Sequence, residues 1–483
     1  MIKLESETAI GIDPAGNPYL LGAFAPIGTE ITADELRLNG EIPKDLEGVY
    51  LRNGPNPWAQ PRGRYHWFDG DGMIHAIEFR NGRATYRNRF IRTSGLAMER
   101  EAGRSIWPGL RERPDPAAPR GSGSDGWLKD TANTDLAFHN GNALALWYQC
   151  GLPYKLNART LETLGTEDFG GKLKRTMSAH CKTDEHTGEL IYFDYSTQLP
   201  YLTYNVVSKD GDLIHHAEID LPGPRLPHDM AITQNYSILM DLPLFWDPEL
   251  LKRQAHKVTY YPELPSRFGV IPRYGGARTI RWFEASPCYI YHVVNAWEEG
   301  DQIIMDACRV REAAPKSETP KDDHSRMLSF LKLAARLYRW RFDLKTGATK
   351  EEPLDDANTE FPTINRHVLG RKSRYTYNSN LAYTPALVFD GLTKYDTQKG
   401  TSERYNFGEG RWGSEAPFAP RITAKSEDDG YLVSFVTDAN RGHSEMLLLD
   451  AQNFGSAAIA RIEIPQRVPL GFHALWVPGE KLN

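Results

Sequence analysis

The stretch IYHVVNAWEEGDQIIMDACRV, residues 290–310, indicates the kind of fold that the whole sequence encodes. Residues 290–296 and 303–310 are short runs rich in β-branched and aromatic side chains, which favour β-strands. The sequence therefore predicts two strands here, and it places His292 within the first of them.

Similar runs recur from about residue 48 to the end of the chain, at residues 49–52, 144–148, 190–195, 337–343, 431–436 and 446–450. Asn81-Gly82, Asp210-Gly211 and Asp390-Gly391 lie between runs and suit the positive φ angles of tight hairpin turns. Many short antiparallel strands over 483 residues favour a β-propeller, whose blades leave only short, protected edges. No WD40-like or kelch-like repeat allows the blades to be counted. We predict a single all-β propeller domain over residues 1–483.

Two segments interrupt the strand pattern, at about residues 242–254 and 325–338, and we interpret both as helical or loop insertions that form a cap. The second segment has apolar residues at helical spacing with basic residues among them, namely Met327, Phe330, Leu331, Ala334, Leu337, Lys332 and Arg336. A stripe of this kind usually packs against its own domain. If it is exposed, it would suit a lid over a pocket or peripheral contact with a membrane surface.

Composition excludes several classes of protein. The formal net charge is -6 and there is no basic block, so we expect no nucleic-acid partner. No run of about 18 apolar residues is present that could span a bilayer. The opening residues MIKLESETAI lack a basic-then-apolar signal, so we expect a cytoplasmic location. The four cysteines are too sparse for a disulfide framework, and the sequence leaves the oligomeric state open.

Four of the 14 histidines stand within or beside strand-like runs: His180 in SAHCKTDEHTGEL, His228 in PHDMAIT, His292 in YHVVNAWEE and His473 in GFHALWVPG. The long separations of these four histidines along the sequence exclude a pair of metal ligands on one helix, as in HExxH zinc sites. The four residues can meet only if the chain closes on itself. A propeller does this, because the innermost strand of every blade lines one central axis.

The sequence resembles the carotenoid cleavage oxygenases, a family that includes enzymes that cleave apocarotenoids and stilbenes. The resemblance rests on GEIPKDLEGVYLRNGPNP (40–57), FDGDGM (68–73), ANTD (132–135) and GFHALWVP (471–478), in this order and with each histidine in its expected setting. It implies a seven-bladed propeller with a cap of loops over one axial iron(II), held by His180, His228, His292 and His473. It also implies cleavage of an alkene C=C bond by O2 to two carbonyl products.

The chemistry of the four histidines agrees with this implication. Neutral imidazoles suit iron(II), copper, zinc or nickel, so they favour iron without proving it. An octahedral ion with four protein ligands keeps two positions open for dioxygen beside a substrate. The sequence has no HxD or HxE pair typical of the two-histidine, one-carboxylate sites. The alternative from another class is a non-catalytic binding module whose histidines hold structural zinc.

The resemblance also implies residues around the ligands. The family uses three glutamates to orient the imidazoles; Glu360 and Glu415 match two of them, whereas Gln149 stands at the third position. A glutamine carbonyl can still accept an imidazole N–H, but it removes one negative charge near the metal. Thr134 matches a position close to one open coordination site, although it can equally be an ordinary strand residue.

The predicted substrate is an apolar polyene or an aromatic alkene. Family members that cleave 4-hydroxystilbenes carry a lysine where this sequence has Tyr148. Because that cation is missing, we favour a carotenoid or apocarotenoid, and a stilbene or phenylpropene is the alternative. Asp69-Gly70-Asp71-Gly72 lacks the other ligands of a calcium loop, and we interpret it as a structural turn.

Overall fold

The computed structural model describes residues 1–123, 126–252, 258–310 and 333–482. In chain order the first strands are β1 (Ile2–Glu7), β2 (Thr29–Ala33), β3 (Leu38–Gly40), β4 (Gly48–Arg52), β5 (Met73–Arg80), β6 (Arg83–Phe90), β7 (Asp135–His139), β8 (Asn142–Leu146), β9 (Tyr154–Leu156), β10 (Thr163–Thr166), β11 (Lys182–Thr183), β12 (Leu190–Tyr195), β13 (Leu202–Val207), β14 (Leu213–Ile219), β15 (Ala231–Ile232), β16 (Tyr236–Asp241) and β17 (Leu244–Trp246).

The remaining strands are β18 (Val258–Tyr260), β19 (Ser266–Pro272), β20 (Arg281–Ala285), β21 (Tyr289–Glu299), β22 (Gln302–Val310), β23 (Ala335–Asp343), β24 (Thr349–Pro353), β25 (Thr359–Thr363), β26 (Tyr375–Leu381), β27 (Phe389–Asp396), β28 (Thr401–Asn406), β29 (Arg411–Gly413), β30 (Phe418–Pro420), β31 (Gly430–Asp438), β32 (His443–Asp450), β33 (Ala460–Ile464) and β34 (Ala474–Pro478). The described α-helices are α1 (Ser94–Ala102) and α2 (Pro248–Leu251). Neither helix is long and apolar enough to cross a membrane.

The strands form a seven-bladed β-propeller, as predicted. Blade one contains β1, β2, β4, β5, β6 and β34, and blades two to five contain β7–β10, β11–β14, β15–β16 with β19–β20, and β21–β24. Blades six (β25–β28) and seven (β30–β33) are joined into one continuous sheet, in which β29 pairs with both β27 and β31. The last strand, β34, pairs with β4 from Ala474–Arg52 to Pro478–Gly48, which closes the ring.

The first strands of neighbouring blades contact one another around the axis: β34 with β7, β7 with β11, β15 with β21, β21 with β25, and β30 with β34. The core consists of apolar layers between adjacent blades. Between blades four and five, for example, Phe268 and Phe283 meet Trp340 and Phe342, and all four side chains are buried. Strands covered on both faces are buried along their whole length, as in β31, where every residue is buried and most are apolar.

All eight predicted runs lie in strands, with ends that differ by a few residues. Asn81 and Gly82 form the predicted turn between β5 and β6, with φ angles of 52° and 69°. Asp210-Gly211 likewise connects β13 and β14. The turn predicted at Asp390-Gly391 is wrong, because both residues lie inside β27. Glycine is required there by close approach of a neighbouring strand, since a Cβ at 391 would lie 2.4 Å from the Tyr405 carbonyl oxygen.

The two predicted insertions have different outcomes. In the insertion predicted at residues 242–254, residues 244–246 form strand β17 and residues 248–251 form the short helix α2, while residues 253 and 254 lie outside the described residues. The helix predicted over residues 325–338 is wrong at its C-terminal end, because Leu337 belongs to β23 and pairs with Cys308 of β22. Apolar and aromatic residues there fill the layer between two blades. Residues 325–332 lie outside the described residues, so the cap and the membrane contact stay predictions.

Candidate metal centre

All seven blades direct a polar side chain to the same level of the axis, at or just before the innermost strand. In ring order these residues are His473 before β34, Asp135 at the start of β7, His180 before β11, His228 before β15, His292 in β21, Glu360 in β25 and Glu415 before β30. All except Asp135 are at least nine-tenths buried. Residues far apart in sequence therefore meet because the propeller repeats one strand position around its axis.

The four predicted histidines form one cluster. The ring centroid of His180 lies 4.8 Å from that of His228, 5.0 Å from that of His292 and 4.6 Å from that of His473. The rings of His292 and His228 are 5.3 Å apart, and those of His292 and His473 are 4.6 Å apart. Ligand nitrogens of His180, His292 and His473 all lie within 4.8 Å of one another. His228 joins this cluster through its ring contacts.

Three of the imidazoles are oriented by carboxylates at Nδ1. The Nδ1 of His292 lies 2.5 Å from Oε2 of Glu360, and the Nδ1 of His473 lies 3.1 Å from Oε1 of Glu415. The Nδ1 of His180 lies 2.9 Å from Oδ2 of Asp135. A carboxylate at Nδ1 fixes the tautomer in which Nε2 carries the free lone pair.

The Nε2 atoms of His180 and His292 are fully buried and have no hydrogen-bond partner among the described residues. An unsatisfied buried nitrogen costs about 1–3 kcal/mol, so its recurrence within one cluster requires a reason. A bound divalent cation would explain both unpaired nitrogens, because it would accept the Nε2 lone pairs of His180 and His292 at the centre of the cluster. The donor set thus fits a transition-metal ion that prefers imidazole.

Electrostatics keep two of the rings available as ligands. Burial, together with the other histidines, lowers the pKa of His228 and of His292 well below the usual value, so both rings stay neutral. Burial also acts on His473, but the charge of Glu415 and the hydrogen bond to it outweigh that effect and raise its pKa. For Asp135, burial opposes ionisation, yet His180 beside it lowers the pKa below the usual value.

Asp135 is the orienting residue that the sequence analysis missed. It ends the ANTD motif, directly after Thr134, and a carboxylate at the start of an inner strand was the available signal. The predicted partner at the third glutamate position, Gln149, is buried and forms a hydrogen bond with the Tyr148 side chain. Its predicted role as an imidazole partner stays a prediction.

An apolar cavity adjoins the histidines on one side. Its lining consists mainly of aromatic and aliphatic side chains, together with three of the histidines: Phe68, Thr134, Tyr148, His228, Tyr291, His292, Leu333, Phe361, Leu387, Phe472 and His473. Thr134 and Tyr148, both singled out from the sequence, lie here. The Thr134 hydroxyl donates to Asn133 Oδ1 at 3.1 Å and accepts from the Tyr148 N–H at 3.2 Å.

A second, polar cavity adjoins His180, His292 and His473 and is also lined by residues that come next along the inner strands. Its charged lining residues are Asp135, Lys182, Asp229, Arg366 and Glu415. The Lys182 ammonium lies 2.6 Å from Oδ1 of the buried Asp229, whose Oδ2 accepts the Val293 N–H at 2.7 Å. The histidines therefore separate an apolar space from a polar one along the propeller axis.

Comparison with known proteins agrees with this geometry. Residues 24–478 match the family described as Retinal pigment epithelial membrane protein. Carotenoid 9,10(9',10')-cleavage dioxygenase 1 of Arabidopsis thaliana is 38% identical over 501 residues, covering 96% of this chain and 90% of the relative. Among solved structures, Pseudomonas brassicacearum lignostilbene dioxygenase is similar with a TM-score of 0.85 and 30% identity, over 96% of this chain and 99% of that one. Cobalt-substituted Synechocystis apocarotenoid oxygenase gives a TM-score of 0.82 and 27% identity, over 97% and 100%.

Proposed function

Because the chain belongs to the Retinal pigment epithelial membrane protein family, as the carotenoid cleavage oxygenases do, we propose that it is a non-haem iron(II) dioxygenase. We propose that its substrate is a carotenoid or apocarotenoid. The observation that carries this proposal is a buried histidine cluster, with Nε2 atoms that have no described partner, at the wall of an apolar cavity. Such a site joins a metal-binding position directly to a place for a water-insoluble alkene.

His180, His228, His292 and His473 would hold one iron(II) per chain. Bound iron(II) would supply the activation of dioxygen that an organic side chain cannot provide. Asp135, Glu360 and Glu415 keep three rings in one orientation. They do so through the Nδ1 contacts, so the ligand nitrogens are positioned before the metal binds.

The side chains of the apolar cavity position the alkene and exclude water. Oxidative cleavage of a C=C bond places one atom of O2 on each carbon and gives two carbonyl products, with no net proton transfer. The site therefore needs no general acid or base, and positioning by Phe68, Phe361 and Phe472 is the contribution that this chain makes. Thr134 lies on the same wall, where its methyl group would limit access to one coordination position.

The nature of the lining supports a carotenoid or apocarotenoid substrate. Tyr148 replaces the lysine expected of hydroxystilbene-cleaving members, and no lysine or arginine lines the cavity among the described residues. A stilbene or phenylpropene substrate is the second candidate, and the similarity to lignostilbene dioxygenase favours it. Both candidates are electron-rich alkenes that fit an aromatic-lined space.

The proposal is tested by anaerobic purification with iron, metal analysis, and incubation under oxygen with apocarotenals, carotenes and hydroxystilbenes. Mass spectrometry of the paired carbonyl products identifies the substrate and the cleaved bond together. We expect about one iron per chain and cleavage of at least one alkene. Iron-loaded protein that cleaves none of them, or tightly bound zinc in a site that does not react, would refute the proposal.

A further inference from the structure

Three hydroxyl groups line the apolar cavity, and two of them already have protein partners. The Thr134 hydroxyl both donates to Asn133 and accepts from the Tyr148 backbone. The Tyr148 hydroxyl forms a hydrogen bond with the Gln149 side chain. The Tyr291 hydroxyl has no hydrogen-bond partner within the described part of the chain, although only 8% of the residue is exposed.

Among the described residues, the Tyr291 hydroxyl is therefore a free donor at the wall of the cavity, whereas tyrosine hydroxyls of mostly buried side chains normally find an acceptor. The surroundings of Tyr291 offer few: its ring packs against Tyr289 at 4.8 Å and against His228 at 5.1 Å. A tyrosine hydroxyl can donate a hydrogen bond as well as accept one. The missing acceptor can be supplied by whatever occupies the cavity.

The position of Tyr291 indicates which part of an occupant it would meet. It directly precedes His292 in β21, and its ring contacts that of His228, so it stands beside two of the proposed metal ligands. An acceptor bound there belongs to a part of the substrate that lies in the apolar cavity beside these histidines. Hydrocarbon polyenes carry no such atom, whereas hydroxyaryl alkenes and short apocarotenoid carbonyls do.

We propose that Tyr291 is a specificity-determining residue, whose hydroxyl donates a hydrogen bond to a hydroxyl or carbonyl oxygen of the substrate within the apolar cavity. The substrate is then an oxygenated alkene rather than a pure hydrocarbon. This inference rests on the proposed function and narrows its substrate class. It follows from the general rule that a site built to bond a polar atom discriminates against the analogue that lacks it.

The test compares Tyr291→Phe with the wild-type enzyme on pairs of alkenes: 4-hydroxystilbene with stilbene, and an apocarotenal with a carotene. We expect Tyr291→Phe to lower kcat/KM for the oxygenated member by about 5- to 10-fold, in line with the loss of one neutral hydrogen bond. For the hydrocarbon member we expect a change of no more than about twofold. A response of the stilbene pair identifies the bonded oxygen as a phenol, and a response of the apocarotenal and carotene pair identifies it as a carbonyl.

Tyr148→Phe is the matched control, because it removes a hydroxyl from the same cavity that is already bonded to the protein. It should change both members of a pair by the same factor. The inference is overturned if Tyr291→Phe also does so, or if it changes neither. Both outcomes would mean that the hydroxyl has only a structural role or none.

Binding to the metal-free protein separates this inference from the proposed function. Quenching of tryptophan fluorescence by 4-hydroxystilbene, stilbene, the apocarotenal and the carotene gives a Kd that involves no catalysis. We expect Tyr291→Phe to weaken only the oxygenated ligands. If the wild-type enzyme cleaves no alkene, the proposed function fails, while these affinities still decide whether Tyr291 selects oxygen.

Discussion

The two cavities that meet at the histidines differ sharply, although the same inner strands contribute to both. One is lined by Phe68, Phe361 and Phe472, and the other by Asp135, Lys182 and Asp229. A hydrated or charged group is stable only in the second, and a water-insoluble alkene only in the first. The histidine layer is therefore a boundary between the apolar space proposed for the substrate and a charged network.

Substitution of a histidine in the layer between the two cavities should have the largest effect on metal content and activity. His292→Ala removes a ring that contacts the other three histidines and leaves Glu360 buried without its partner. We expect iron content to fall towards zero and activity to fall by more than the roughly 100-fold that the loss of an orienting residue causes. Metal analysis and product formation measure both effects.

His216→Ala is the control for this experiment, since His216 lies on exposed β14 and bonds to Asn205, far from the axis. It should keep its iron and its activity. Circular dichroism of both variants shows whether they remain folded. A folded His292→Ala protein that retains one iron per chain would contradict the assignment of His292 as a ligand.

Asp135 gives the next largest effect, because it belongs to the polar side yet orients a ligand of the boundary. Asp135→Asn keeps the shape but weakens the bond to Nδ1 of His180. We expect metal affinity to fall about 10- to 100-fold, measured by competition with a chelator. Glu360→Gln, made in parallel, is the benchmark. If Asp135→Asn binds iron like the wild type while Glu360→Gln does not, Asp135 has no orienting role.

Much of this arrangement could be predicted from the sequence. The four histidines, Glu360 and Glu415 were found because each sits in a distinctive local motif, and the many short strands implied a ring that brings them together. Asp135 was missed although its motif was quoted, because its position at the start of an inner strand becomes a signal only when the bounds of that strand are known. Tyr291 was missed for a similar reason, since a tyrosine in a strand usually fills the core.

The errors have a common physical origin. Leu337 fits both a helical and a strand period, and the packing between blades decides for the strand. Gly391 follows an aspartate, as in hairpin turns, yet its lack of a side chain serves the close contact with Tyr405. Long-range contacts decided both cases, and a local pattern does not contain them.

A substitution in the polar cavity should change the stability of the protein more than its affinity for the metal. Lys182→Met removes the ammonium from the buried Asp229, whose carboxylate then keeps, among the described residues, the backbone N–H groups of Met230 and Val293 as partners. We expect the free energy of unfolding to fall by about 2 kcal/mol, as for a lost hydrogen bond to a charged group. Denaturant titration of the metal-free protein measures this change.

A second variant tests whether the Lys182–Asp229 pair is the cause. Lys182→Met combined with Asp229→Asn removes both charges, so part of the lost stability should return. Equal stability of the single and double variants would mean that the ion pair contributes little. In that case the polar cavity is simply hydrated, and the Lys182–Asp229 ion pair in it does not stabilise the protein.

The smallest effect is expected one residue from the apolar wall, at Gln149. This residue is buried and bonded to Tyr148, whose ring lies 5.7 Å from that of His228. Gln149→Glu would add a negative charge near a bound cation, so we expect an unchanged fold and up to about 10-fold tighter metal binding or altered turnover. Gln149→Ala controls for loss of the amide and should not tighten binding. Identical metal content and kinetics in Gln149→Glu and the wild type would show that the site does not sense charge at this position.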